Sequence, residues 1–365
     1  MRILLLLLIV LTVSCSQKNP LEKVLSSDNP KIKRVIDSLD KYEIQILFTE
    51  IIEKEGEISF KDYSFQVDDS TYFYPASSVK LPIAILALEK MNKNKLIDRN
   101  TILMVEGDSL KTTFANQIMK IFAVSDNEAY ARLFEYLGQD YITEKLQERG
   151  ISSRISHRFS GLNPSDLETK QLHFYDKENL IFSSKKINNK DLEVLPLKKI
   201  IKGVGYIDGD SLVNEPKDFS LKNYLSITAL HTMMKQVQFL ELFSEEKRFN
   251  LNEDDRIFLL EMMRILPREA KYNTVEYYDS YGKFFVFGDT KEPIPKHIKI
   301  YNKVGYAYGT LTDCAYIINE KTNKKYILTA TIHVNKNKIF NDGVYEYDEI
   351  GIPFLAELGR QLIDY

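Results

Sequence analysis

The sequence predicts an α/β fold: a sheet layer built from both ends of the chain, with a mainly helical unit inserted between them. Three observations predict it. Short β-like runs stand near the start, at 44–49, 56–60 and 63–67, and again in the last third, at 309–319 and 325–334. Between the two sets lies a block of helical patterns, the most apolar of them at 77–92. An amphipathic helical pattern over 350–365 closes the chain. The sheet domain is therefore expected to be discontinuous, 30–76 with 290–365. The helical domain is expected over 77–289, with an insertion around 164–224.

Each element has its own justification. Residues 3–13 form an apolar run behind Arg2. It is shorter than the roughly 20 residues a membrane span needs, which predicts a signal peptide over 1–14. The stretch Thr12-Val13-Ser14-Cys15 resembles a bacterial lipoprotein cleavage box. That resemblance implies lipidation of Cys15, a membrane partner through this anchor, and export to the periplasm or outer membrane. An ordinary secretory signal with an incidental cysteine is the competing reading. Residues 15–29 are polar and read as a tether. Ile32, Val35, Ile36 and Leu39 give 30–42 a helical spacing, and charged turns make the first three β-like runs a meander. Residues 77–92 are apolar on nearly every side, as in a buried helix, with Pro82 in its first turns. Further helices are expected around 114–122 and after Ser125-Asp126, the latter carrying Ala129, Leu133 and Leu137 and stopping at Gly138. Residues 164–224 are lysine-rich without sustained periodicity and read as an insertion or long loop. Helical pattern returns at 225–240 and 253–265.

Composition excludes several classes. The chain has 365 residues, 44% hydrophobic and 28% charged, ordinary for a globular protein. A net charge of −3 shows no basic excess of the kind a nucleic-acid partner requires. Cys15 and Cys314 are too few for a disulfide framework, and Cys314 reads as buried and inert. The five histidines form no His-x-x-x-His pair, so no metal site is expected, and nothing calls for a cofactor. No Gly-x-Ser-x-Gly elbow is present.

The chemistry concentrates at Ser77-Ser78-Val79-Lys80, which opens the apolar helix. A serine and a lysine three apart on a helix share a face. A serine hydroxyl needs a neighbouring base to become a nucleophile. A lysine, with an ordinary pKa of about 10.4, becomes such a base when burial or a second cation pulls that value down. The same spacing recurs at Ser38, Ser183, Ser244 and Ser280, but only Ser77 heads a strongly apolar helix. Ser-Asp-Asn likewise occurs twice, at Ser27 in the polar stretch and at Ser125.

Tyr74 through Lys80, then Ser125-Asp126-Asn127, then Lys303-Val304-Gly305 resembles the ordered motif set of the class A β-lactamases and penicillin-binding proteins, over roughly residues 30–365. The resemblance implies an antiparallel sheet flanked by helices plus a mainly helical domain. It implies Ser77 as the acylated nucleophile, Lys80 as its proton acceptor and Ser125 as a proton relay to the leaving nitrogen. Asn127 would bind the substrate's amide side chain and Lys303 its carboxylate. Lys303 would also depress Lys80 as a second cation. Gly305 belongs to the third motif, and the backbone N–H groups of Ser77 and Tyr306 would form the oxyanion hole. Asp126 reads as a helix cap. The expected ligand is a β-lactam or a peptidoglycan peptide.

Two departures matter. Val304 and Tyr306 stand where the family usually carries hydroxyls for the substrate carboxylate. The loop from Arg154-Ile155 to Leu162-Asn163 aligns with the one that normally supplies a deacylating glutamate, but puts Phe159 in its place. Asp166 and Glu168, a few residues on, are the alternative carboxylates. The expected function is a serine hydrolase acting through an acyl-enzyme. The alternative is a penicillin- or peptidoglycan-binding envelope protein, or a D-Ala-D-Ala peptidase-like one, without turnover.

Overall fold

A computed structural model of the chain describes residues 18–160, 163 and 165–363. The signal segment, Cys15 and Leu162 lie outside the described residues. The main sheet has five strands: β1 (Gln45–Lys54), β2 (Glu57–Phe65), β3 (Ile298–Ala307), β4 (Thr310–Asn319) and β5 (Lys324–His333). Their order is β3-β4-β5-β1-β2, every pair antiparallel. The join between β1 and β5, with Gln45 opposite Thr331, is where the two ends of the chain meet in one sheet.

Helices cover both faces. On one side α1 (Pro20–Leu25), α2 (Pro30–Ile36) and α10 (Ile352–Ile363) close a core with Ile46, Ile300, Val304 and Leu328; α3 (Leu39–Tyr42) links α2 to β1. On the other, α4 (Lys80–Asn92), α5 (Phe114–Val124), α6 (Asn127–Leu137), α7 (Gln139–Gln147), α8 (Ile227–Gln238) and α9 (Glu253–Arg264) enclose the larger core. Every residue from Leu81 to Leu88 is buried, so α4 runs through the middle of that core. Each large aliphatic side chain removed from water there contributes about 1.5–3 kcal/mol, which commits the head of α4 to a fixed place.

Four sequence expectations change. The tether over 15–29 is folded from residue 19 on. Asn19 and Glu22 form a reciprocal capping box, and Leu21, Val24 and Leu25 are buried against the α10 side. Flanking charges hid that short apolar face. The runs at 56–60 and 63–67 are one strand, so β1 and β2 make a simple hairpin. β3 was not expected as an element, because Asn302 and Lys303 interrupt its apolar alternation. The 164–224 region contains short strands, among them Leu172–Asp176 paired with Asn179–Ser183, and Gly205–Asp208 paired with Ser211–Val213. Two to five residues are too few to show a period.

Candidate active site

The chain enters α4 through a strained turn. Ala76 has φ +46°, a left-handed conformation costly for a residue with a Cβ, and Ala76–Val79 form one 3₁₀ turn before Lys80 begins the helix. This separates the two adjacent serines. Ser78 is buried, and its hydroxyl donates to the Pro75 carbonyl at 2.6 Å. Ser77 stays on the open side, with its Oγ 3.0 Å from Lys80 Nζ.

The second motif arrives at the junction of α5 and α6. Ser125 ends α5 in the left-handed region (φ +58°), and Asp126 caps α6 by accepting from the Ala129 N–H at 2.7 Å. The reversal turns Ser125 and Asn127 toward Lys80. Lys80 Nζ contacts the Ser125 carbonyl, Ser125 Oγ at 3.3 Å and Asn127 Oδ1 at 2.7 Å. β3 brings the third motif. Lys303 Nζ donates to Ser125 Oγ at 2.9 Å and to the Val304 carbonyl at 2.7 Å. Gly305 lets this strand lie against the serine turn: a Cβ there would meet the Pro75 carbonyl at 2.5 Å, Ser78 N at 2.6 Å and Ser77 N at 2.9 Å. Ser77, Lys80, Ser125, Asn127, Lys303 and Gly305, expected from three separate motifs, therefore gather in one place.

The electrostatics suit a lysine base. Burial pushes the Lys80 amine well below its ordinary pKa, the Lys303 charge pushes it further, and Asp126 opposes. Lys303, equally enclosed, is pushed down to about 7, first by burial and then by Lys283, against Asp313. A neutral Lys80 can spend its two hydrogens on the Ser125 carbonyl and Asn127 Oδ1, leaving its lone pair for the Ser77 hydroxyl proton.

The opposite wall is aromatic. Phe159 sits at φ +65°, stacks on Tyr130 at 4.7 Å and stands with its ring centroid 5.7 Å from Lys80 Nζ. With Tyr74, Tyr306, Tyr308 and Tyr345 it walls a cleft of about 450 Å³ that opens onto Ser77 and Asn127. No carboxylate lines that cleft among the described residues. The alternatives at Asp166 and Glu168 do not fill the gap. Both are exposed, their carbonyls accept from Arg158, and the Glu168 carboxylate faces Lys186 at 3.8 Å. The loop is pinned by charge elsewhere: Arg158 pairs with the buried Glu135 at 2.5 Å, and Arg154 donates to the Glu193, Ser220 and Lys222 carbonyls. Val304 is buried in the core beneath α10, and Tyr306 is half exposed, edge-on to Tyr347 at 5.6 Å.

Sequence reasoning missed Lys283, Asn302 and Asp313, all buried behind Lys303. A lysine inside the aromatic run 281–287 was a legible signal that its amine is held in the interior. Cys314 is buried between the Leu230 carbonyl and the Thr329 hydroxyl, and burial pushes its thiol pKa up, away from reactivity. Among the described residues no group of three His, Cys, Asp or Glu side chains is placed to hold a metal.

A sequence-family profile described as "Beta-lactamase enzyme family" matches residues 29–253. Among solved structures, a mutant of PBP-A in its acyl-enzyme complex with penicillin G superposes with a TM-score of 0.52 at 12% identity, covering 94% of this chain and 95% of that one. L2 complexed with relebactam gives 0.52 at 13% identity, covering 94% and 98%. A β-lactamase from Sphaerobacter thermophilus gives 0.49 at 12%, covering 94% of both chains. The two likenesses at 0.52 show a shared fold. No curated protein matches this sequence.

Proposed function

The chain belongs to the β-lactamase enzyme family, and we propose that it is a serine hydrolase that opens β-lactams or related amides through an acyl-Ser77 intermediate. The observation that carries this reading is the 3.0 Å contact between Ser77 Oγ and the amine of Lys80, whose burial pushes its pKa well below the ordinary value. Neutral Lys80 takes the Ser77 proton as Oγ attacks the amide carbon. The backbone N–H groups of Ser77 and Tyr306 receive the oxyanion. The carbon–nitrogen bond then breaks, and Ser125, in reach of both lysines, passes a proton to the leaving nitrogen. Lys303 attracts the substrate carboxylate. Asn127, whose Oδ1 is held by Lys80, offers its Nδ2 to the substrate's amide side chain.

Among the described residues no carboxylate lines the cleft to serve deacylation. A general base contributes roughly 10²- to 10⁴-fold, about 3–5 kcal/mol of barrier, and Phe159 cannot act as one. The acyl-enzyme is therefore long-lived. The same residue favours a second reading, an envelope protein that binds penicillin or peptidoglycan peptide covalently without turning over. Export and a lipid anchor at Cys15 fit either role. A fluorescent penicillin is expected to label the protein covalently, and labelling that persists in Ser77→Ala rejects the assignment. Steady-state hydrolysis of a chromogenic β-lactam separates the readings: a receptor gives a single stoichiometric burst.

A further inference from the structure

The sheet holds buried charge on both faces. Side chains alternate along β3, so Lys303, opposite Cys314, faces the helical core and Ser125. Its neighbours Asn302 and Val304, and Asp313 opposite Val304, face the other way. There Lys283 Nζ donates to the Ile300 carbonyl at 3.0 Å and to Asn302 Oδ1 at 2.9 Å. Asn302 Nδ2 donates to Asp313 Oδ1 at 2.9 Å, and the Phe284 and Phe285 N–H groups donate to Asp313 Oδ2 at 3.0 and 3.3 Å. Burial pushes the Asp313 carboxyl up to about 6, while both its oxygens receive hydrogen bonds from N–H donors that favour the ionised form, leaving it charged at neutral pH. Neither Lys283 nor Asp313 is hydrogen-bonded to Ser77, Lys80 or Ser125. Burying two such charges is costly, and nothing in the acylation chemistry uses them directly.

We propose that Asp313 and Lys283 are positioning residues that act through the sheet on Lys303: the Asp313 charge keeps Lys303 cationic for the substrate carboxylate, and the Lys283 charge works against it. This rests on the acyl-Ser77 reading for its purpose, but not for its test. Lys303 lies opposite Cys314 on β4 and is felt by Lys80 on α4, which Asp126 at the α5–α6 junction also influences; Asp313 on β4 and Lys283 on the segment before β3 act on Lys303 itself. Lys283 in turn faces Asp313, Glu269 and, on α9, Arg264. Lys303 is pushed down to about 7 chiefly by burial, with Asp313 opposing that shift and Lys283 adding to it. Near neutrality a modest change in either neighbour alters the fraction of Lys303 that carries charge. Lys303 also bears on Lys80, so the reverse-face pair tunes both the ligand-binding cation and the base.

The test is a titration of Lys303 in the full chain carrying ¹³C-labelled lysine, its resonance assigned by its loss in Lys303→Arg. Asp313→Asn is expected to lower the Lys303 midpoint, and Lys283→Met to raise it, each by about one pH unit. The alkaline limb of acylation by a penicillin should move in the same two directions. A penicillin methyl ester, which lacks the carboxylate, should show no such movement. Shifts of the same sign in both variants, or no shift in either, overturn the proposal. Where Asp313→Asn does not fold, Lys283→Met decides alone: a midpoint that falls or stays rejects it. If no β-lactam acylates Ser77, the functional reading fails while the titration still answers the question of coupling.

Discussion

The two walls of the cleft are built on opposite principles. On one side the Ser77 and Lys80 side chains are tied into one polar network with Ser125, Asn127 and Lys303 from distant parts of the chain. Across from them Phe159 and Tyr130 stack, with no carboxylate lining the cleft among the described residues. On the proposed acyl-Ser77 reading the first wall makes the bond to serine. Among the described residues the second offers no carboxylate to activate a water that would break it. The proposed chemistry is then divided between the two walls, with an aromatic ring on the side where deacylation would need a base.

The sharpest way to break the comparison is to remove the forming half. Ser77→Ala should abolish covalent labelling by penicillin, and Lys80→Met should reduce the acylation rate constant by at least about 10³-fold, with far-UV circular dichroism unchanged. Phe159→Glu tests the other wall. It should speed acyl-enzyme decay by roughly 10²- to 10⁴-fold, read as loss of the adduct mass with time; an unchanged decay would show that the ring is not what prolongs the intermediate. Gly305→Ala attacks the junction between β3 and the serine turn. Its Cβ has no room beside Pro75 and Ser78, so acylation should fall by about tenfold or more, with about 1–3 kcal/mol lost from the unfolding free energy in urea.

The smallest effect is a shift in pH. On the proposed mechanism acylation requires neutral Lys80, so its rate is expected to fall as pH drops through the Lys80 pKa. Lys303→Met removes a neighbouring positive charge, which lets Lys80 hold its proton to higher pH. The acid limb of the acylation profile should therefore move upward, by about half a pH unit or more. A limb that stays in place or moves down would show that Lys303 does not act on Lys80.

Legibility followed distance along the chain. The Ser77–Lys80 pairing is local, three residues at the head of an apolar helix, and the fold preserves it. Asp126 as a cap and Gly138 as a helix stop were equally local and are found as expected. The tether was misread because Leu21, Val24 and Leu25 become a buried face only when α10, from the far end of the chain, covers them. Asp313 gave no signal at all, since a lone aspartate in a strand is unremarkable until Phe284, Phe285 and Asn302 donate to it.

By itself the sequence determined the local motifs and where the helices that present them begin, because side-chain spacing and capping act over a few bonds. Only the tertiary structure decided that burial pushes the Lys80 amine well below its ordinary pKa, that Phe159 stacks on Tyr130 in the cleft wall, and that a buried carboxylate stands behind Lys303. Those properties depend on removing charge from water, and no residue is removed from water by its immediate neighbours alone.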